Sequence, residues 1–190
     1  MIVLGKQLLL WGSIFLTGCS MQSFPGQDAA PPLPSCVIAD QNLSAKENEA
    51  IAELRRNVEA GPLYSLSTKR AGIATCSAKY ETGVLTLEYN FRDKGWLRVK
   101  RDSRIEYNDQ EVRFGSPLEE EPKAILKRAE LAAFGKDGCG IDWEQFEKQP
   151  TPDDPQGVET IFRGDTCNCQ ARIRTDAAGR TIGLKFRSTC

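Results

Sequence analysis

The stretch VLTLEYNF, residues 84–91, decides the fold. Leu85, Leu87, Tyr89 and Phe91 alternate with Thr86, Glu88 and Asn90. A period of two residues gives a strand one apolar and one polar face. The pattern extends in both directions. Ala74, Cys76, Ala78 and Tyr80 alternate before it, and Leu97, Val99, Ile105, Tyr107, Val112 and Phe114 after it. Glu81-Thr82-Gly83, Asp93-Lys94-Gly95 and Asn108-Asp109 supply turn chemistry between the runs. Residues 72–114 therefore predict an antiparallel meander with one buried and one wet face.

Two helical patterns flank it. SAKENEAIAELRRNVEAG opens with Ser44 and Glu47 at capping-box spacing, places Ile51, Leu54 and Val58 on one face, and stops at Gly61. A second helix is expected from Pro122 to Phe134, with Pro at its first turn, Glu119–Glu121 ahead of it and Gly135 as its stop. A short helix is expected over 142–147, with Asp142 as N-cap, and EKQPTPDDPQG after it reads as a loop. Period two returns over 158–163, 166–174 and 180–188, with Asp176-Ala-Ala-Gly179 as a hairpin turn. The expected class is α+β: an antiparallel meander and a C-terminal hairpin sheet packed with two main helices. The later helix-plus-strands unit parallels the earlier one, without residue-level similarity.

Seven cysteines are present and no histidine. Without histidine there is no Ser-His-Asp or Cys-His site and no His-ligated metal. The cysteines are scattered and lack the C-x-x-C pairs of zinc sites, so no metal is expected. With Cys19 set apart for the reason given below, Cys36, Cys76, Cys139, Cys167, Cys169 and Cys190 remain, an even number suited to three disulfides. The hairpin over 176–179 allows two registers two residues apart, one setting Cys190 diagonal to Cys167 and the other directly opposite it. Cys167–Cys190 is accordingly the first-choice bridge, leaving Cys169 to reach Cys36, Cys76 or Cys139. A redox role for Cys167-Asn168-Cys169 is disfavoured, because same-face strand residues two apart are poorly placed to bond each other.

The N-terminus carries an address. Residues 1–18 hold one charge, Lys6, and an apolar run from Leu8 to Leu16, too short for a resident membrane span. The segment Leu16-Thr17-Gly18-Cys19 resembles the lipobox of bacterial lipoproteins. That resemblance implies cleavage before Cys19, a diacylglycerol on its thiol and an acyl group (palmitate class) on the new amino terminus. Such chains give stable anchoring where one would not. Ser20, rather than Asp, implies the outer membrane. The organisation expected is a signal peptide over 1–18, lipidated Cys19 and a Pro- and Ser-rich tether through 35, and a periplasm-facing domain over 36–190. A division of that domain into 36–115 and 116–190 is the alternative.

For function, the charge pattern is the only lead. The whole chain carries a net charge of −1, so no attraction to nucleic acid follows. On the wet faces, however, Arg172, Arg174, Lys185 and Arg187 gather, with Arg163 and Arg180 at the edges, and Trp96, Arg98, Lys100 and Arg104 decorate the meander. These residues are the candidates for binding an acidic partner. The expected role is a non-catalytic binding, accessory or assembly subunit of the envelope, with a protein partner and no cofactor beyond the lipid. The segment TCSAKYETGVLTLEY is also similar to the opening strands of lipoprotein lysozyme inhibitors. Their serine- and glycine-rich inhibitory loop is not visible here. An inhibitor or immunity protein against a lysozyme or toxin is thus the alternative. A carboxylate-based peptidoglycan hydrolase ranks third, because no pair among Glu119–Glu121, Asp153 and Asp154 stands apart. The stretch FGKDGCGIDWEQF does not supply a calcium loop, and Arg163-Gly164-Asp165 is too short a match to an adhesion tripeptide to carry weight.

Overall fold

The computed structural model describes residues 36–38, 43–102, 107–136, 138–152 and 154–190. The Leu16–Cys19 segment, the tether, Arg104, Ile105 and Asp153 lie outside the described residues.

Among the described residues the chain runs β1 (Val37–Ile38), α1 (Ala45–Glu59), α2 (Pro62–Ala71), β2 (Ile73–Glu81), β3 (Val84–Phe91), β4 (Trp96–Asp102), β5 (Tyr107–Leu118), α3 (Pro122–Phe134), β6 (Glu147–Thr151), β7 (Asp154–Arg163), β8 (Gln170–Thr175) and β9 (Thr181–Thr189). The fold is α+β. One nine-stranded sheet has the order β1-β2-β3-β4-β5-β9-β8-β7-β6. Every neighbouring pair is antiparallel except β1 with β2. Read outward from the central β5–β9 pair, the strands run in reverse chain order on both sides. A helical segment followed by four strands occurs twice, and the β5–β9 ladder fuses the halves into one sheet.

The helices lie on one face. Leu85, Leu87, Tyr89, Phe91, Leu97, Val99, Val112, Phe162, Ala171, Ile173, Leu184 and Phe186 project from the strands into a core closed by Ile51, Leu54, Val58, Leu63, Leu66, Ile125 and Leu126. Ser44 and Glu47 form the expected capping box on α1. Glu121 caps α3 by accepting from the Lys123 and Ala124 amides, and Gly135 ends it at φ 76°. Tyr89 is buried beneath α1 with its hydroxyl donating to Glu59 at 3.1 Å.

Several expectations change. A third helix, α2, begins where a stop was expected: Gly61 is its N-cap and Pro62 its first residue, where the missing N–H costs nothing. Asn108-Asp109 is no turn but lies within β5. No helix forms over 142–147, although Asp142 Oδ1 still accepts from the Glu144 and Gln145 amides. The expected loop instead contains β6, an edge strand that tolerates Pro150 because its outer side needs no donor. Thr166–Cys169 is a turn rather than strand, with Cys167 and Asn168 at φ 53° and 42°.

Three disulfides staple the domain: Cys36–Cys76, Cys139–Cys169 and Cys167–Cys190. The last is the first-choice bridge. The β8–β9 hairpin takes the register that sets Cys190 opposite Cys167, pairing Ile173 with Leu184 and Ala171 with Phe186. Cys139–Cys169 holds a loop that follows α3. Buried Glu130 on that helix accepts there from the amides of Cys139 (2.9 Å) and Ile141 (3.4 Å) and from Trp143 Nε1 (3.2 Å). Three donors satisfy a carboxylate that would otherwise be costly to bury.

Candidate functional site: the helix-free face of the sheet

Strand alternation brings Trp96, Arg98 and Lys100 of the meander and Arg172, Arg174, Lys185 and Arg187 of the C-terminal hairpin onto one surface, opposite the helices. Strand pairing sets them in rows. One row runs Glu88, Arg98, Glu111, Lys185, Arg172, Ile161, Glu147. A second runs Asn90, Trp96, Arg113, Gly183, Arg174, Glu159, Gln149. A third runs Thr86, Lys100, Asp109, Arg187, Gln170, Arg163. The two basic clusters expected separately are thus parts of one face, joined through β5 and β9.

Most of that positive charge is internally matched. Glu159 on β7 has no exposed side-chain surface, and Arg172 Nη1 and Arg174 Nε each lie 2.9 Å from its carboxylate, with Gln149 Nε2 donating at 2.9 Å. Burial pushes the Glu159 carboxyl up. Donation from Arg174 and Gln149, with the charges of Arg172 and Arg174, outweighs it, and the net shift is downward. Arg174 also reaches Glu111 at 2.8 Å, and Lys185 lies 3.1 Å from both Asp109 and Glu111. Arg98 pairs with Glu88 at 2.8 Å and stacks 5.0 Å over the Trp96 ring.

The predicted binding residues Trp96, Arg98, Lys100, Arg172, Arg174, Lys185 and Arg187 therefore divide. Arg172, Arg174 and Lys185 are half-buried members of an ion network, and Arg98 is tied to Glu88 and Trp96. Reversing Arg172 and Arg174 would dismantle the Glu159 site, so such variants report on stability before binding. Lys100 and Arg187 are exposed. Sequence reasoning missed Arg113, which is exposed on this face beside Trp96. Its position between inward Val112 and Phe114 was the available signal. Lys100 and Arg113 form no ion pair among the described residues. Cys167 and Cys169 are half-cystines of different bridges rather than a redox pair. Among the described residues no group of His, Cys, Asp and Glu is arranged to hold a metal.

Compared with protein-family models, with curated proteins and with solved structures, the chain matches none.

Proposed function

We propose that this chain is an envelope lipoprotein, anchored in the outer membrane through acylated Cys19 and facing the periplasm. Its domain acts as a non-catalytic binding or assembly subunit for another envelope protein. The observation that carries the binding reading is the sheet face that no helix covers among the described residues, on which Trp96, Lys100, Arg113 and Arg187 stand around an ion network. A nine-stranded face held by cross-strand ion pairs is preorganised, which lowers the entropy cost of docking. Exposed cations beside a half-buried tryptophan suit an acidic surface. The reading needs no cofactor beyond the lipid.

Two tests follow. Cys19→Ser is expected to abolish incorporation of labelled palmitate and to leave uncleaved or mislocalised precursor. Labelling that persists in this variant contradicts the anchor. Tagged full-length chain is expected to capture an envelope protein from detergent extract. Recovery of a lysozyme or toxin would favour the inhibitor reading, and clearing of peptidoglycan in a zymogram of the purified chain would favour the hydrolase.

A further inference from the structure

The helix-covered face is not covered to its end. α3 packs on β8 and β9, and beyond it the same face of β6 and β7 carries an aromatic cluster with one exposed ring, Phe146. Phe162 on β7 is buried, and Trp143 and Phe146 flank its ring at centroid distances of 5.3 and 6.0 Å. Phe146 is 53% exposed, and Val158, two strand steps from Phe162 on the same face, is 36% exposed. Leu131, one turn along α3 from Lys127, is 47% exposed.

Lysines surround the rings. Lys123 Nζ lies 5.2 Å from the Phe162 centroid, Lys127 Nζ 5.7 Å from that of Trp143, and Lys148 Nζ 5.5 Å from that of Phe146. Lys123 also donates to the Trp143 carbonyl at 2.6 Å, so Lys127 and Lys148 are the mobile charges. Nearby, Glu147 is matched by Arg163 at 3.0 Å, which leaves Asp142 and Glu144 as the opposing charges close to Trp143 in the chain. Apolar rings with ammonium groups held over them on flexible stems, which can swing outward to meet phosphates, suit the headgroup level of a bilayer.

We propose that this corner, Trp143, Phe146 and Val158 with Lys127 and Lys148, rests on an anionic phospholipid surface. Phe146 inserts between headgroups and the lysines meet lipid phosphates. Chain length permits it. Cys36 sits beside β1 at the far edge of the sheet, roughly 38 Å away at about 4.8 Å per strand. Residues 20–35, fully extended, reach at most roughly 55 Å. Docked in this way, the helix side faces the bilayer and the charged sheet face points away from it, open to a partner. The idea builds on the envelope address proposed above but does not need acylation of Cys19, because the apolar N-terminal segment also delivers the chain to a membrane.

Full-length chain in phosphatidylglycerol-rich vesicles with brominated acyl chains provides the test, with Trp143 emission taken as the difference between the parent and Trp143→Phe. Trp143 is expected to be quenched and blue-shifted there, and neither in brominated phosphatidylcholine vesicles. Lys127→Gln with Lys148→Gln should lower the ratio of docked to undocked domain about 25-fold, from about fivefold for each lysine. Phe146→Ser, with unchanged circular dichroism as the check on folding, should abolish the quenching. Trp143 emission insensitive to bromination in both vesicle types overturns the proposal. So does quenching that survives both sets of substitutions, or protection of Trp143 by a bound protein alone.

Discussion

Glu159→Ala should destabilise the domain by about 3–5 kcal/mol, the range for removing one member of a buried ion group. The substitution opens a cavity, removes the ion-pair partner of Arg172, leaves Arg174 with Glu111, and takes from Gln149 its acceptor. Glu159→Gln restores shape but not charge, and should recover only part of the loss. The pH dependence follows from the direction of the shift. The folded carboxyl titrates below its ordinary value, so its contribution is fully present above the unfolded pKa, about 4.3. It is lost as pH falls through the lower folded value. Denaturant midpoints measured from pH 7 downward should therefore fall in the parent below about pH 4, and Glu159→Gln should lack that component. A parent and variant that change in parallel across this range would show that the pair with Arg172 and Arg174 contributes nothing net.

Gly115→Ala should cost about 3 kcal/mol through overpacking. Strand β5 departs from register between Arg113 and Leu118, and the β3–β4 turn crosses it at this point. A Cβ on Gly115 would stand 1.7 Å from the Asp93 carbonyl oxygen and 2.5 Å from its carbon, both backbone atoms of that turn. No side-chain rotation relieves the clash, so the turn or the strand has to move. Gly95, in the same turn, faces the same crowding, with the Arg113 carbonyl oxygen 2.7 Å from where its Cβ would be. Gly179 offers the control: its φ of 77° makes alanine there locally strained, yet nothing lies within 4 Å of the added carbon. Thermal midpoints should rank Gly115→Ala well below Gly179→Ala. Equal midpoints would mean that the turn yields freely.

How far the chain could be read without its structure depended on whether the controlling contact was local. The meander was legible because alternation is a property of neighbouring residues, and α1 because its capping box spans four. The corner between α1 and α2 was misread because Gly61-Pro62 ends one helix and starts the next, and the same two residues serve either purpose. β6 was missed because its strand identity comes from pairing with β7, and Pro150 argues locally against it. The basic face was legible as a face but not in its net charge. Counting from Arg163 to the end finds six basic residues against two acidic ones. Yet Lys185 is matched by Glu111, 74 residues earlier, and Arg174 by Glu111 and Glu159. The sites left open to a partner emerge only after these long-range pairs are removed. They lie on the meander, at Lys100 and at Arg113, the latter cross-strand from Trp96, rather than among the C-terminal arginines that dominate the linear pattern.

The central claim is that this uncovered sheet face is the binding surface, and Lys100→Glu combined with Arg113→Glu tests it most directly. Both side chains are exposed and outside the ion network, so the double variant should keep the thermal midpoint and circular dichroism of the parent. Quantitative capture of the envelope partner by tagged full-length chain, parent against double variant, is the measurement. The account predicts capture at least about tenfold weaker, two like charges now meeting an acidic surface. Undiminished capture by a double variant that remains folded would contradict it.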